Sequence, residues 1–206
     1  MIDELARVIG RPVSRETVAL LDHYLDCLRG ESKRQNLVAE STLGDAWRRH
    51  ILDSAQLAAL EPRPGSSWAD IGSGAGLPGI VIAALVTGPV TLIEPRRLRA
   101  EFLGQTIAAL GLSTRVAVVA TKAERAGGRF DVIAARAVAN VDKLLEISTH
   151  LSTKNTQWVL PKGRSAESEL AAARRRWHCE AQRVPSCTDP ESEILVLRNV
   201  KAKGGR

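Results

Sequence analysis

The stretch "WADIGSGAGLPGI", residues 68–80, decides the fold of this chain. It carries four glycines, Gly72, Gly74, Gly76 and Gly79, directly after a short apolar segment. Glycine adopts backbone conformations that other residues avoid and lets a ligand approach the main chain, at a cost in conformational entropy. A glycine turn between a strand and a helix therefore predicts a ligand site at the carboxyl edge of an open α/β sheet.

Short apolar segments alternate with helical periodicity on the C-terminal side of this turn. "VTLIE", "RVAVVA", "FDVIAARA" and "QWVLPKG" predict further strands, and "RRLRAEFLGQTIAALGL" and "SAESELAAARRRW" predict helices between strands. This alternation is typical of a parallel sheet with helices on both faces. The last apolar segments, "EAQRVPS" and "SEILVLRNV", predict two strands joined by a polar loop.

The residues before the glycine turn have a different pattern, because they predict helices alone. Val18, Leu21, Leu25 and Leu28 recur at helical spacing and form one apolar face. Prolines and a glycine near residue 62 end this region. We therefore expect a helical cap over residues 1–62 and an α/β domain over residues 63–206.

Composition limits the kind of protein. The chain has 206 residues, of which 44% are hydrophobic, and a formal net charge of +6, which is compatible with a phosphate-bearing partner. Cys27, Cys179 and Cys187 are widely spaced, and we interpret them as free thiols of a reducing compartment. No secretory leader or membrane-spanning run is visible, so we expect a cytoplasmic protein without membrane contact, and a monomer.

Two nucleotide-like ligands compete for the glycine turn. "GAGLPG", residues 74–79, matches the dinucleotide fingerprint G-x-G-x-x-G, and this match alone predicts an NAD-dependent oxidoreductase. The chain shows neither a hydride-transfer site nor the lysine of a phosphate-binding loop. The oxidoreductase therefore stands as the alternative prediction.

Acidic residues near the turn favour S-adenosylmethionine over NAD. Asp70 precedes Gly72 by two residues, where a carboxylate would repel a pyrophosphate and attract a cationic cofactor. Glu94 ends the second predicted strand, where a carboxylate can accept hydrogen bonds from the ribose hydroxyls of either ligand.

Four segments occur in an order and spacing that resemble a known family. They are "RHILDSAQL" (49–57), "WADIGSGAGLPGI" (68–80), "VIAARAVANVDKLLE" (132–146) and "LPKGRSAESEL" (160–170). Together they resemble the bacterial small-subunit ribosomal RNA guanine-N7 methyltransferases, the RsmG or GidB family. The resemblance implies a Rossmann-like class I methyltransferase with a mostly parallel seven-stranded sheet, a C-terminal antiparallel hairpin and an N-terminal helical cap.

The same resemblance implies a reaction and a set of site residues. The family transfers a methyl group from S-adenosylmethionine to N7 of one guanine in the 530 stem-loop of 16S rRNA, so the expected partner is 16S rRNA or the small ribosomal subunit. Its motifs imply cofactor contacts at Gly72, Leu77, Ala123, Glu124 and Arg136. With the residues argued above, the predicted cofactor set is Asp70, Gly72, Gly74, Gly76, Leu77, Glu94, Ala123, Glu124 and Arg136.

The chemistry of guanine N7 makes few demands on the protein. N7 carries a free lone pair, so its attack on a sulfonium methyl group needs no general base, and catalysis rests on in-line positioning. We expect Arg136 to act in catalysis, by anchoring the cofactor or by contacting O6 of the guanine. Lys162 is predicted either to meet an RNA phosphate or to be a plain surface lysine. His50 and Asp53 share a helix face and are predicted to pack the cap against the domain.

Several basic residues are candidates for an RNA-binding face, since phosphate contacts dominate the affinity of such surfaces. They are Lys33, Arg34, Arg48, Arg49, Arg96, Arg97, Arg99 and the run at 174–176.

Overall fold

A computed structural model describes residues 1–204 and contains one seven-stranded sheet. The strands are β1 (Trp68–Ile71), β2 (Val90–Ile93), β3 (Val116–Val119), β4 (Val132–Ala134), β5 (Gln157–Lys162), β6 (Trp177–Pro185) and β7 (Glu193–Ala202). Their order is β3-β2-β1-β4-β5-β7-β6. The first five strands are parallel, and β7 runs antiparallel to both β5 and β6. The predicted α/β fold with a C-terminal antiparallel hairpin is confirmed.

Helices cover both faces of the sheet. They are α1 (Ile2–Ile9), α2 (Arg15–Ser32), α3 (Asp53–Ala58), α4 (Gly79–Leu85), α5 (Arg97–Ala109), α6 (Val141–Ser148) and α7 (Ala166–Ala173). Short 3₁₀ turns occupy Glu40–Asp45, Ala123–Arg125 and Thr149–Leu151, and a π-helical turn, Trp47–Leu52, leads directly into α3. None of the helices in the described part of the chain combines the length and the hydropathy that a bilayer span requires.

The N-terminal helices share one apolar core with the sheet. Leu21 of α2, Leu57 of α3 and Ile80 of α4 are fully buried in the same cluster, which also contains Trp68 of β1. A second cluster on the other sheet face is formed with α6 and α7 around Trp158. The division at residue 62 into a cap and a Rossmann-like domain stays a prediction.

One predicted boundary is wrong at the end of α7. The sequence predicts helix through Trp177, whereas α7 ends at Ala173 and Trp177 opens β6. The Trp177 side chain is only 6% exposed, and its indole N–H donates to Asp142 Oδ1 at 2.8 Å. Burial of this large ring together with a satisfied hydrogen bond therefore prevails over the helical propensity of the preceding residues.

Sheet order places a crevice at the carboxyl ends of β1 and β4. From β1 the chain builds outward to β2 and β3 on one side, and then to β4 and β5 on the other. Open α/β sheets bind ligands at such a reversal of strand order. The glycine turn follows β1 directly, so the topology brings the turn to this crevice.

Candidate active site

The glycine turn has backbone angles that require glycine. Gly72, Gly74 and Gly76 have φ values of 68°, 56° and 96°, a region that residues with a Cβ atom rarely adopt. The amides of Gly72 and Ser73 donate to the carbonyl of Ile93 at 2.8 and 3.1 Å, which fastens the turn to the end of β2. A Cβ atom at Gly76 would lie 2.5 Å from Ile80 Cδ1, so this end of the turn packs against the core.

Gly79 allows α4 to pack closely against β1. A Cβ atom at this position would lie 2.6 Å from Asp70 Oδ2, inside van der Waals contact. Its absence lets α4 approach β1 closely, and the Gly79 amide donates to Asp70 Oδ2 at 3.0 Å. The last glycine of the "GAGLPG" match is thus explained by contact between helix and sheet.

Asp70 lies beneath the turn, turned away from the crevice. Its side chain is 1% exposed, and Oδ1 has no hydrogen-bond partner among the described residues. Burial raises the pKa of this carboxyl to about 7. Because side chains alternate along a strand, Asp70 shares the α4 side of β1 with Trp68, and Ile71 faces the other side. Asp70 therefore supports the start of α4 through the Gly79 amide, and its attraction of a cationic ligand stays a prediction.

Glu94 connects the end of β2 to the glycine turn. Its Oε2 atom accepts from the Gly74 amide at 2.8 Å, and Oε1 accepts from the Arg96 amide at 2.9 Å. The side chain is 3% exposed. Each carboxylate oxygen can accept a second hydrogen bond, so Glu94 has remaining capacity for hydroxyl donors from a ligand in the crevice.

A cavity of about 220 Å³ lies between the ends of β1 and β2 and the 3₁₀ turn Ala123–Arg125. Gly72, Ala123 and Glu124, all predicted from the family motifs, line it together with Ile71 and Lys122. Leu77 lies elsewhere: its side chain is 5% exposed and belongs to the apolar core beneath the turn. The structure thus brings three predicted residues to one cavity and leaves the Leu77 side chain outside it.

Val138 is a residue of this site that the sequence analysis missed. A Cβ atom at Gly72 would lie 2.8 Å from Val138 Cγ2, so the loop after β4 covers the glycine turn. Val138 is 38% exposed and lines both the 220 Å³ cavity and a neighbouring cavity of about 450 Å³. It therefore forms the wall between the two spaces.

Arg136 lies on the far side of that wall. It lines the 450 Å³ cavity and a third cavity of about 630 Å³, and the two share Asp53, Arg136 and Ser192. Arg136 Nη1 donates to Asp53 Oδ2 at 2.9 Å, and each side chain is about one quarter exposed. This ion pair is the border between the two larger cavities.

His50 and Asp53 lie in the same helical segment but make different contacts. Asp53 joins the N-terminal helices to the rest of the protein, through Arg136 and through Thr188, whose hydroxyl donates to Oδ1 at 2.8 Å. His50 stays within the N-terminal region, where its Nε2 atom lies 2.9 Å from Thr42 Oγ1. Burial and the nearby Arg136 charge lower the pKa of His50 to about 4, so the ring is neutral at pH 7.

Lys162 is held inside the protein. Its Nζ atom lies 2.8 Å from Glu169 Oε2 and donates to the Ala139 carbonyl at 2.8 Å, and its side chain is 10% exposed. The interpretation as a plain surface lysine is therefore wrong, and a contact to an RNA phosphate stays a prediction, since Lys162 lines the 450 Å³ cavity. Lys162 fastens the loop after β4 to α7.

The basic residues divide into groups on opposite edges of the sheet. Arg96, Arg97 and Arg99 follow β2 at the carboxyl edge, and Arg48 and Arg49 line the 630 Å³ cavity. The run at 174–176 follows the C-terminus of α7, a helix that begins at the carboxyl end of β5 and returns to the amino edge. That run lies at the amino edge, separate from the basic residues on the crevice side, and its part in RNA binding stays a prediction.

Solved structures share this fold. A methyltransferase from Geobacter sulfurreducens superposes with a TM-score of 0.58 at 18% identity, over 91% of this chain and 92% of that one. TYW2 of P. horikoshii, solved in complex with MeSAdo, superposes with a TM-score of 0.53 at 14% identity, over 74% of this chain and 62% of that one. At these identities the likeness establishes the fold alone.

Curated relatives share a higher sequence identity with this chain than these solved structures do. Ribosomal RNA small subunit methyltransferase G of Zymomonas mobilis is 42% identical over 200 residues, covering 93% of this chain and 90% of that protein. The protein of the same name from Rhizorhabdus wittichii is 43% identical over 209 residues, covering 99% and 96%. The comparisons give no support to the alternative prediction of an NAD-dependent oxidoreductase. The model of the GidB family, described as rRNA small subunit methyltransferase G, matches residues 17–195. The chain therefore belongs to the rRNA small subunit methyltransferase G family.

Proposed function

We propose that this protein transfers the methyl group of S-adenosylmethionine to N7 of one guanine in 16S rRNA, within the 530 stem-loop. The observation that carries the proposal is the adjacency of two cavities at the carboxyl edge of the sheet. One adjoins the glycine turn, and the other lies across Val138. A group-transfer enzyme needs this arrangement, because donor and acceptor must meet at one point.

The residues around the smaller cavity fit an adenosine-bearing cofactor. Gly72 of the turn lines this cavity, and the Glu94 carboxylate lies at the turn itself through its bond to the Gly74 amide. We propose that the cofactor contacts the main chain at Gly72, Gly74 and Gly76. The Glu94 carboxylate would accept hydrogen bonds from its ribose hydroxyls. Ala123 and Glu124 would then lie beside the adenine, since both line the cavity.

Asp70 and Leu77 have supporting roles in this assignment. Both side chains are buried beneath the turn. Asp70 holds the first turn of α4, and Leu77 fills the core below it. We propose that they shape the cofactor site through the backbone and do not touch the cofactor with their side chains.

The protein's part in the reaction is orientation. When bound, S-adenosylmethionine supplies an electrophilic methyl group on a positively charged sulfur. Guanine N7 keeps its lone pair at neutral pH, so no residue of this chain needs to remove a proton. The walls of the 450 Å³ cavity would hold the base in line with the methyl group.

Arg136 is the residue that we propose for direct action in catalysis. It lines the cavities beyond Val138, where we expect its guanidinium to contact the guanine or the methionine end of the cofactor. A contact to O6 alone would orient the base and leave N7 free, whereas a bidentate grip on O6 and N7 would block the nucleophile. The ion pair with Asp53 supports the O6 contact, since one guanidinium edge is already engaged.

A methyl-transfer assay tests this function. The purified protein is incubated with methyl-labelled S-adenosylmethionine and small ribosomal subunits that lack the modification, in parallel with naked 16S rRNA and with large subunits as a control. We expect label in 16S rRNA, recovered as 7-methylguanine, and none in the large subunit. Absence of label, or label on another atom or another RNA, would refute the proposal. The assay also reveals whether naked RNA or the assembled particle is preferred.

A ribosomal substrate implies that the protein acts in the cytoplasm, and we propose that it does so as a monomer. Sedimentation of the purified protein tests the monomer directly. A stable dimer at micromolar concentration would contradict it.

A further inference from the structure

Asp53 joins three parts of the protein at the border between the two larger cavities. Its Oδ2 atom accepts from Arg136 Nη1 at 2.9 Å, in the loop after β4. Its Oδ1 atom accepts from the Thr188 hydroxyl at 2.8 Å, in the loop between β6 and β7, and from Gln56 Nε2 at 3.1 Å, on its own helix. One carboxylate therefore links α3 to both loops that line the cavities.

Gln56 strengthens the link to the second loop. It lies one helical turn after Asp53, on the same face of α3. Its Nε2 atom donates to Ser186 Oγ at 3.1 Å, and its Oε1 atom accepts from the Cys187 amide at 3.0 Å. The Gln56 side chain is 7% exposed. The loop between β6 and β7 is thus held by several hydrogen bonds from α3.

The local helix geometry at Asp53 is unusual. The preceding residues, Trp47–Leu52, form a π-helical turn, and Asp53 begins the regular α-helix. Such turns are rare and occur frequently at functional sites. Arg48 and Arg49 of this turn line the 630 Å³ cavity together with Asp53.

Asp53 also compensates the positive charge of Arg136. Methyl transfer to N7 moves a positive charge from the cofactor sulfur to the purine, so the site must tolerate a cation throughout. An uncompensated guanidinium at Arg136 would repel that charge before and after transfer. The other ionic groups that line the 450 Å³ cavity are also matched, since Lys162 pairs with Glu169 and Glu193 pairs with Arg183.

We propose that Asp53 is a positioning residue for the methyl transfer. It orients Arg136 toward the target guanine, neutralises the guanidinium, and holds the β6–β7 loop as one wall of the substrate cleft. The inference rests on the proposed function, because it assigns the cavities beyond Val138 to the RNA substrate. The proposed adenosine site lies on the other side of Val138, so the inference predicts that Asp53 has little effect on cofactor affinity.

The test compares Asp53→Asn with a matched control, Asp26→Asn. Asp26 carries an exposed ion pair with Arg29 on α2, 3.1 Å between Oδ1 and Nη1, and belongs to neither site. For Asp53→Asn we expect kcat to fall at least about tenfold on small-subunit RNA, while the dissociation constant for S-adenosylmethionine changes by less than about threefold. The control should match the wild type in both quantities.

A second variant, Thr188→Val, removes the hydrogen bond between Asp53 and the loop, and leaves both the Asp53–Arg136 pair and the Gln56 bonds in place. We expect the KM for RNA to rise about fivefold with kcat nearly unchanged. Hydrogen exchange gives a readout that needs no activity: amides of residues 186–192 should exchange at least about tenfold faster in both variants than in the wild type.

Distinct outcomes separate the two claims. A wild-type protein that methylates no RNA would refute the proposed function, and hydrogen exchange would still decide whether Asp53 holds the loop. If the wild type is active and Asp53→Asn keeps its kcat and its loop protection, the inference is overturned. It is also overturned if Asp53→Asn loses cofactor affinity as strongly as kcat, since Asp53 would then belong to the cofactor site.

Discussion

Replacing Asp70 with asparagine removes a buried carboxyl group whose ionisation opposes folding at neutral pH. Burial raises the pKa of this group in the folded protein to about 7, from a value of 3.8 in an exposed chain. Between these two pH values the folded state binds more protons than the unfolded state. The free energy of unfolding therefore decreases as pH rises, and the loss is complete once pH exceeds the folded pKa.

The two pKa values of Asp70 set the size of the effect. Linkage gives a destabilisation of about 2 kcal/mol at pH 5 and about 4 kcal/mol at pH 8, relative to the protonated group. The difference, about 2 to 3 kcal/mol, is a large fraction of the stability of an ordinary domain. Asparagine keeps an oxygen acceptor for the Gly79 amide and does not ionise, so the variant lacks this pH dependence.

Urea unfolding at pH 5, 6, 7 and 8 measures the effect. Subtracting the variant's unfolding free energy from that of the wild type cancels the other titrating groups, including His50. We expect the wild type to lose about 2 to 3 kcal/mol of unfolding free energy relative to the variant between pH 5 and pH 8. A difference that stays flat over this range, or that moves in the opposite direction, would refute the placement of Asp70 as a buried, singly bonded carboxyl.

Three further predictions concern the turn and the RNA-binding surface. Glu94→Ala removes the acceptor for two main-chain amides and for the ribose, so calorimetry should show S-adenosylmethionine binding at least about tenfold weaker; unchanged affinity would exclude the ribose assignment. The hydroxyl of Tyr24, a buried residue of α2, donates to the Ala75 carbonyl of the glycine turn at 2.9 Å. Tyr24→Phe removes this bond and should lower the free energy of unfolding in urea by about 1 to 3 kcal/mol. An unchanged free energy would show that the bond does not stabilise the protein. Replacing Arg48 and Arg49 with alanine should reduce the slope of log affinity for RNA against log salt by about 1 to 2, while Arg175→Ala at the opposite sheet edge should leave it unchanged. An equal reduction in the Arg175 variant would contradict the assignment of RNA to the crevice side.

The fold was largely predictable because its signals are local. Each signal is contained in a short stretch of sequence. The signals are the four glycines after an apolar strand, the alternating strand and helix patterns, and the two final strand segments. The end of α7 was mispredicted because Trp177 is fixed by Asp142, a contact that spans 35 residues and leaves no trace in the helical pattern.

The site was predictable only in part, for the same reason. Motif resemblance identified Gly72, Ala123 and Glu124, which do line one cavity. Val138 and Gln56 were missed because their importance comes from contacts with distant segments. The orientation of Asp70 could have been found, since strand alternation already places it on the same face as Trp68.

The central claim is that the glycine turn and its neighbouring cavity hold S-adenosylmethionine. A crystal structure of the protein with the product S-adenosylhomocysteine tests it most directly. The account predicts the nucleoside against residues 72–76, its ribose hydroxyls on Glu94 and its adenine beside Ala123 and Glu124. A ligand bound elsewhere, or a ribose without contact to Glu94, would contradict it.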